Sequence, residues 1–171
     1  MSKVLVVIDM QNDFVTGGLG TKEAQNIVPN VVAKLKKAKE NGDNIFFTRD
    51  THYENYMDTL EGEKLPIPHC IINSEGWKVI PQLQEYAKKA FIIDKKTFGF
   101  LTWLSCIPRD TKEIELIGVC TDICIVSNAL ILRANYPNMK ITVDSSCCAG
   151  TSREAHESAL VVMKCCQIDV K

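Results

Sequence analysis

The residues best suited to chemistry in this chain are a cysteine, a carboxylate and an amine, each beside an apolar run. Cys124 would lie in the first turn of a helix that begins at Thr121 or Asp122. A helix N-terminus and a nearby lysine both lower the pKa of a thiol, which makes Cys124 a candidate nucleophile. A buried structural cysteine would have the same pattern. Asp9 and Lys95 each close another apolar run, where a loop-capping aspartate or a solvated lysine is the ordinary alternative.

A second group of side chains has the spacing of metal ligands. Asp50 and His52 are separated by one residue in an extended segment and therefore point to the same side, and His69 follows after a long loop. One carboxylate and two imidazoles suit one divalent ion, zinc or iron rather than magnesium. The loop also contains three acidic residues that each offer a further oxygen: Asp58, Glu61 and Glu63. An acidic surface loop with two ordinary histidines is the alternative interpretation.

The elements that must position these side chains alternate between apolar strands and amphipathic helices. Strands are predicted at 3–8, 44–48, 90–93, 113–118, 140–143 and 166–168, several of them apolar on both faces. Helices are predicted at 79–88, from 121 or 122 onward, at 152–164, and in a segment that has Pro29 in its first turn and ends before Gly42. This alternation predicts an α/β fold, a three-layer doubly wound parallel sheet of about six strands. Ligands bind at the carboxyl ends of such strands, where the candidate residues stand.

Composition narrows the class of protein. The chain has 171 residues, of which 46% are hydrophobic, and it is expected to form one domain over 1–171. A net charge of −1 without long single-sign runs argues against nucleic acid or a membrane surface as partner. The N-terminal apolar run is too short for a signal or membrane segment, which predicts a cytoplasmic protein. The eight cysteines include no CxxC pair and lie mostly in apolar runs, so most are expected to be reduced core residues.

Three motifs together resemble the isochorismatase-like cysteine hydrolase superfamily, and within it the nicotinamidases. Residues 7–14, VIDMQNDF, are similar to the opening strand with the catalytic aspartate of that superfamily. Residues 95–99, KKTFG, resemble its lysine motif in a register that selects Lys95 over Lys96. Residues 118–125, GVCTDICI, resemble its nucleophile turn and form the most specific of the three motifs. The order of the motifs extends the resemblance over nearly the whole chain.

The resemblance implies roles for particular residues. It implies a six-stranded parallel sheet, an Asp9–Lys95–Cys124 triad, a cis peptide bond before Cys120, and an oxyanion site made by the backbone N–H groups of Cys120 and Cys124. Phe14 and Trp103 are candidate walls of the substrate pocket, with a core position as the alternative for Trp103.

The candidate metal ligands resemble the metal site of nicotinamidases, where the ion holds the pyridine nitrogen of the substrate. Nicotinamidases often have a second histidine six residues after the first, but Asp58 stands at that position here. Some relatives use a glutamate later in the loop as a ligand, and in this chain Glu61 is the residue that we assign to that role. The resemblance therefore implies a ligand set of Asp50, His52, Glu61 and His69.

The function that these features predict is hydrolysis of a small amide through a thioester, with nicotinamide foremost and nicotinate and ammonia as products. Three alternatives stay open: a sister amidase acting on an N-carbamoyl compound, an isochorismatase that cleaves a vinyl ether, and a metal- or redox-responsive binding protein. Cys124 argues against the second, because vinyl ether cleavage does not need a thiol. The only partner predicted is the small-molecule substrate. The sequence leaves the oligomeric state open, and it is compatible with a homo-oligomer.

Overall fold

A sheet of parallel strands forms the middle layer of the molecule. The computed structural model describes residues 2–171, and within this range the sheet has six strands: β1 (Ser2–Ile8), β2 (Asn44–Asp50), β3 (Phe91–Lys95), β4 (Thr111–Val119), β5 (Lys140–Ala149) and β6 (Asp169–Val170). Their order is β3-β2-β1-β4-β5-β6, and every neighbouring pair is parallel. The chain thus winds outward in both directions from the centre of the sheet, which confirms the predicted doubly wound architecture.

Helices cover both faces of the sheet. The α-helices within residues 2–171 are α1 (Asn12–Val15), α2 (Lys22–Asn41), α3 (Leu60–Lys64), α4 (Gln84–Ala87), α5 (Val126–Asn135) and α6 (Arg153–Cys165). Successive side chains of β1 enter different cores, because strand side chains alternate between the two faces. Leu5 packs in the core that includes Leu35 of α2, whereas Val6 packs in the core that includes Leu132 of α5 and Met163 of α6. No helix in the described range is long and apolar enough to cross a membrane.

The first long helix begins earlier than the sequence indicates. Thr21 is its N-cap, with a side-chain oxygen that accepts the N–H of Ala24, so Pro29 lies inside α2 and not in its first turn. A buried stripe that includes Val31 and Leu35 holds the helix against the sheet despite the hydrogen bond that proline cannot donate. The other end is as predicted, because Gly42 ends the helix in a left-handed conformation with φ of 74°.

Two further predictions of secondary structure were wrong in extent or place. The helix expected at 79–88 is only a 3₁₀ turn, Pro81–Leu83, followed by α4. The last strand was expected at 166–168, but these residues finish the C-terminal turn of α6, since the N–H of Ile168 bonds the carbonyl of Met163. Gln167 has a left-handed backbone there, with φ of 62°, and β6 begins only after this turn.

The long polar segment 51–77 folds back on the end of β2 and is held by hydrogen bonds within it and to Asp13. The backbone of His52 bridges this segment, accepting from the N–H of Ile72 and donating to the carbonyl of Cys70. Tyr56 is buried, and its hydroxyl bonds the carbonyl of Leu65 across a 3₁₀ turn and α3. The fold-back brings residues distant along the segment to one edge of the sheet.

Gly118 is the glycine on which the junction of β1 and β4 depends. Its φ is 120°, and a Cβ there would overlap the carbonyl oxygen of Ile8 on the neighbouring strand. We expect Gly118→Ala to lower the free energy of unfolding by at least about 3 kcal/mol, because backbone strain and overlap add. Gly42→Ala is the matched control, since Gly42 also has positive φ but has open space around it; a loss of about 1 kcal/mol is expected there. Urea unfolding measures both, and equal losses would contradict the role of close approach.

Candidate active site

A buried lysine lies at the centre of the candidate site. The Nζ of Lys95 is 2.6 Å from Oδ2 of Asp9, 3.4 Å from Oδ1 of Asp50 and 3.6 Å from Sγ of Cys124. Lys95 is 2% exposed, whereas the neighbouring Lys96 is exposed and lies over the ring of Tyr53. The structure therefore brings together the three residues singled out from the sequence, and it is Lys95 that joins them.

Asp9 is fixed where β1 ends. Its backbone is left-handed, with φ of 50°, and its N–H donates to Thr48 on β2. The hydroxyl of Thr48 donates to Oδ1 of Asp9 at 2.6 Å, which leaves Oδ2 directed at Lys95. The carboxylate is thus held from two neighbouring strands and is fully buried.

The cysteine lies in a turn of unusual geometry after β4. The peptide bond between Val119 and Cys120 is cis, as the resemblance implied, and a π-helical turn, Thr121–Ile125, leads into α5. The carbonyl of Cys120 accepts hydrogen bonds from the N–H groups of Ile123 and Ile125, and not from that of Cys124. The start of the predicted helix is therefore a π-helical turn and not an α-helical one.

Burial controls the ionisation of the three residues. Burial raises the pKa of Asp9, an effect that Lys95 opposes and Asp50 reinforces. Burial alone would lower the pKa of Lys95, but Asp9, Cys124 and Asp50 raise it far more, so the amine stays protonated. The pKa of Cys124 is raised well above its usual value by burial and by Asp9, and Lys95 offsets this only in part. The expectation of a lowered thiol pKa was therefore wrong, since desolvation outweighs the lysine.

The second group of predicted residues also meets in space. Asp50, His52, Glu61 and His69 each offer a ligand atom, and these atoms all lie within 4.8 Å of one another. The Nε2 of His52 is 3.0 Å from Oδ2 of Asp50 and 3.7 Å from Oε1 of Glu61. The Nε2 of His69 is 3.6 Å and 3.8 Å from the same two oxygens. Of the three acids left open by the sequence, Glu61 is the one that points inward, because Asp58 and Glu63 are exposed.

The donor set fits a zinc or iron ion. Two imidazole nitrogens and two carboxylates are ligands that these metals accept. The Nδ1 of His69 is 2.8 Å from the carbonyl of Ile67, which fixes the tautomer that leaves the Nε2 lone pair facing the cluster. Burial alone lowers the pKa of His69, but the hydrogen bond to Asp50 and that to Ile67 outweigh it and raise the pKa. The raised pKa means that a proton competes more strongly with a metal for the Nε2 of His69.

Asp50 connects the two groups of residues. Its Oδ1 faces Lys95, and its Oδ2 faces both histidines. Burial alone would raise the pKa of Asp50, but hydrogen bonds from His52 and His69 and the charge of Lys95 lower it, so the carboxylate is ionised. The predicted metal site and the predicted triad are therefore neighbours that share one carboxylate.

The two candidate pocket residues differ in their surroundings. Phe14 packs edge-on against His69, with ring centroids 5.5 Å apart, beside the metal-ligand cluster. Trp103 is fully buried and packs against Phe46 and Phe100 in the core on the α5 side of the sheet. Phe14 thus lies beside the ligand cluster and also belongs to the core on the α2 side of the sheet, whereas the contacts of Trp103 are those of a core residue.

Sequence reasoning missed three polar residues that support the site. The side chain of Gln11 bonds both the N–H and the carbonyl of Asp50, and the hydroxyl of Thr48 bonds Asp9. His156, expected at a surface or in helix packing, places Nδ1 2.8 Å from the hydroxyl of Thr121 in the nucleophile turn. No local pattern marks these residues, because each contact joins segments far apart along the chain. Only the position of Gln11, two residues after Asp9, offered a signal.

A family model decides the classification. The model of the isochorismatase domain matches residues 3–170, nearly the whole chain. The chain belongs to the isochorismatase family. It is therefore a hydrolase of this family, and its relatives include nicotinamidases at about 25–30% identity.

Several isochorismatase-family proteins are similar along their full length. The family protein PncA of Bacillus subtilis is 30% identical over 94% of this chain and 93% of its own. The structure of a pyrazinamidase/nicotinamidase from Streptococcus mutans has a TM-score of 0.86 at 30% identity and covers 99% of this chain and 100% of its own. The structure of a pyrazinamidase from Pyrococcus horikoshii, in complex with zinc, has a TM-score of 0.82 at 29% identity and covers 100% and 99%.

The raised pKa of Cys124 predicts slow labelling of the resting isochorismatase-family enzyme. Only the thiolate reacts with iodoacetamide, and a raised pKa moves thiolate formation to higher pH. We expect the exposed Cys165 to be labelled before Cys124 at about pH 8, and labelling of Cys124 to keep rising above pH 8.5, the ordinary value of a free thiol. Peptide mass spectrometry distinguishes the two sites. Rapid labelling of Cys124 near neutral pH would contradict the assigned electrostatics.

Proposed function

We propose that this protein hydrolyses a small aromatic amide, foremost nicotinamide, to the carboxylate and ammonia, with Cys124 as nucleophile. The observation that carries the proposal is the junction at Asp50, where a cysteine–lysine–aspartate cluster adjoins two histidines and a glutamate. The first cluster has the groups for acyl transfer, and the second has ligands for an ion that binds a ring nitrogen. The names of the Streptococcus mutans and Pyrococcus horikoshii relatives are consistent with such a substrate.

In the first half of the proposed reaction, Asp9 accepts the proton of the Cys124 thiol. Asp9 and the Cys124 thiol both lie against the ammonium of Lys95, and the raised pKa of Asp9 makes it a stronger base than an exposed aspartate. The thiolate forms a bond to the amide carbonyl carbon, and protonated Lys95 balances the negative charge. The N–H of Cys120 and that of Cys124 stabilise the oxyanion, each such donor contributing about 3 kcal/mol.

In the second half the proton returns and water replaces the thiol. Protonated Asp9 gives its proton to the departing nitrogen, the C–N bond breaks, and ammonia leaves a thioester on Cys124. Asp9 then takes a proton from water, whose oxygen attacks the thioester carbonyl. The C–S bond breaks, Asp9 returns the proton to the thiol, and the carboxylic acid product leaves and loses its proton to solvent. Every proton transfer at the enzyme in this scheme uses Asp9.

We also propose that Asp50, His52, Glu61 and His69 hold one zinc or iron ion. When bound by these four residues, such an ion would supply a Lewis acid for a ring nitrogen of the substrate, and Asp50 would connect this site to the Lys95 and Cys124 side. Phe14, packed against His69, would contact the flat face of the ring. An amide without a ring nitrogen would gain nothing from this site, which separates nicotinamide from an N-carbamoyl substrate in a panel of small amides.

The nucleophile assignment is tested by two cysteine variants assayed for ammonia release. We expect Cys124→Ala to lower kcat by about a thousandfold or more, because no other group can form the acyl-enzyme. Cys120→Ala is expected to be far milder, because the mechanism uses only the backbone of Cys120. Circular dichroism and the unfolding midpoint show whether each variant is folded. Equal losses of activity in two folded variants would overturn the assignment of Cys124.

The metal site is tested by elemental analysis and by ligand variants. We expect about one zinc or iron ion per chain in protein purified without chelator. His52→Ala and His69→Ala should lose the ion and raise KM for nicotinamide more than they lower the labelling rate of Cys124, because the ion positions substrate. Glu63→Gln is the control, an exposed acid of the same loop that should keep the ion. Protein without metal whose activity is indifferent to chelator would remove the site and leave the cysteine amidase intact.

A further inference from the structure

Asn128 is a buried amide whose hydrogen-bonding groups are all used. It lies on α5, one turn after Cys124, and is fully buried. Its Nδ2 donates to the carbonyl of Cys124 at 2.8 Å and to that of Phe98 at 3.1 Å. Its Oδ1 accepts the N–H of Phe100 at 2.9 Å and the indole N–H of Trp103 at 3.0 Å. A buried side chain with four partners is costly to replace, because each partner would be left unpaired.

These four bonds join two segments that carry different parts of the triad. The carbonyl of Cys124 belongs to the nucleophile turn, whereas Phe98 and Phe100 belong to the segment that follows Lys95 directly. The same segment approaches α5 closely at Gly99, where a Cβ would overlap the side chain of Ile131. No backbone hydrogen bond among residues 2–171 connects this segment to the nucleophile turn. The amide of Asn128 therefore supplies the polar connection between them.

We propose that Asn128 is a positioning residue, which holds the segment that follows Lys95 against the nucleophile turn and so keeps the ammonium within 3.6 Å of the Cys124 sulfur. The consequence for chemistry rests on the proposed function, in which Cys124 is the nucleophile. When the connection is lost, Lys95 moves away from Cys124, and the thiolate loses the positive charge that favours it. Asn128 itself touches neither substrate nor the sulfur atom.

Two substitutions separate positioning from stability. Asn128→Leu removes all four bonds at similar volume. Asn128→Thr keeps a hydroxyl that can bond the carbonyl four residues earlier, that of Cys124, but loses Phe98, Phe100 and Trp103. Asn128→Thr should therefore unfold at a higher temperature than Asn128→Leu. Both variants lack the hydrogen bonds to the segment that follows Lys95. Asn135→Leu is the matched control, since Asn135 lies on the same helix and its Nδ2 has no partner within residues 2–171.

The experiment measures the rate of Cys124 alkylation by iodoacetamide at fixed pH, together with kcat and KM for nicotinamide and the unfolding midpoint. Positioning predicts that both Asn128 variants label Cys124 about ten- to a hundredfold more slowly than the parent and lose kcat by a similar factor at nearly unchanged KM. Asn135→Leu should match the parent in labelling and in kcat. Loosened packing would instead make the labelling of Cys124 faster in the Asn128 variants, and that result would overturn the proposal.

A double-variant cycle tests whether the effect passes through Lys95. In a Lys95→Met background, Asn128→Thr should slow labelling by no more than about twofold, because the charge that it displaces is already gone. If the two substitutions slow the labelling of Cys124 by factors that multiply in the double variant, Asn128 acts independently of Lys95. Its role would then be structural alone, and the proposal would be overturned. The outcome is independent of the substrate: if the parent releases no ammonia from nicotinamide, the proposed function fails, while the labelling cycle still decides the role of Asn128.

Discussion

The buried ammonium of Lys95 is the constraint on which the site depends. An unpaired charge in this position would cost several kcal/mol, so the fold must bring opposite charge to it. Asp9 supplies a contact of 2.6 Å and Asp50 one of 3.4 Å. On its other side Asp50 faces the two histidines, which help to hold the pKa of this carboxyl low. The proposed catalytic and metal-binding residues are therefore parts of a single charge balance.

The topology explains why this balance can be assembled from residues far apart along the chain. In a parallel sheet the carboxyl ends of all strands lie at one edge, and the winding direction reverses between β1 and β4. Asp9 stands at the end of β1, Asp50 at the end of β2 and Lys95 at the end of β3, while the nucleophile turn follows β4. The segment 51–77, which returns to this edge, adds the remaining ligands. The parallel topology thus brings the strand-end residues to one edge, and the segment 51–77 has to fold back to complete the group of ligands.

The ionisation of the thiol shows where local reasoning fails. A helix start and a lysine both favour a thiolate, and both are visible in the sequence. The folded protein also removes nearly all water from Cys124 and places a carboxylate beside it, and these effects raise the pKa. A neutral thiol with an adjacent base suits a mechanism in which the proton moves only once substrate is bound. The degree of desolvation depends on every element packed around the sulfur, so no window of sequence contains it.

The sequence by itself determined the strand–helix alternation, the doubly wound sheet and the residue types at the strand ends, because periodicity and end signals are local properties. It also indicated Asp50 and His52 as a pair, since two residues one apart on a strand share a side. The family resemblance pointed to Glu61, but only the tertiary structure shows it beside them, with Asp58 and Glu63 exposed, and only the tertiary structure shows that Pro29 lies within a helix. It alone joined Asn128 to the segment after Lys95. Those outcomes depend on contacts between distant segments, and these contacts form only when helices and loops have packed on both faces of the sheet.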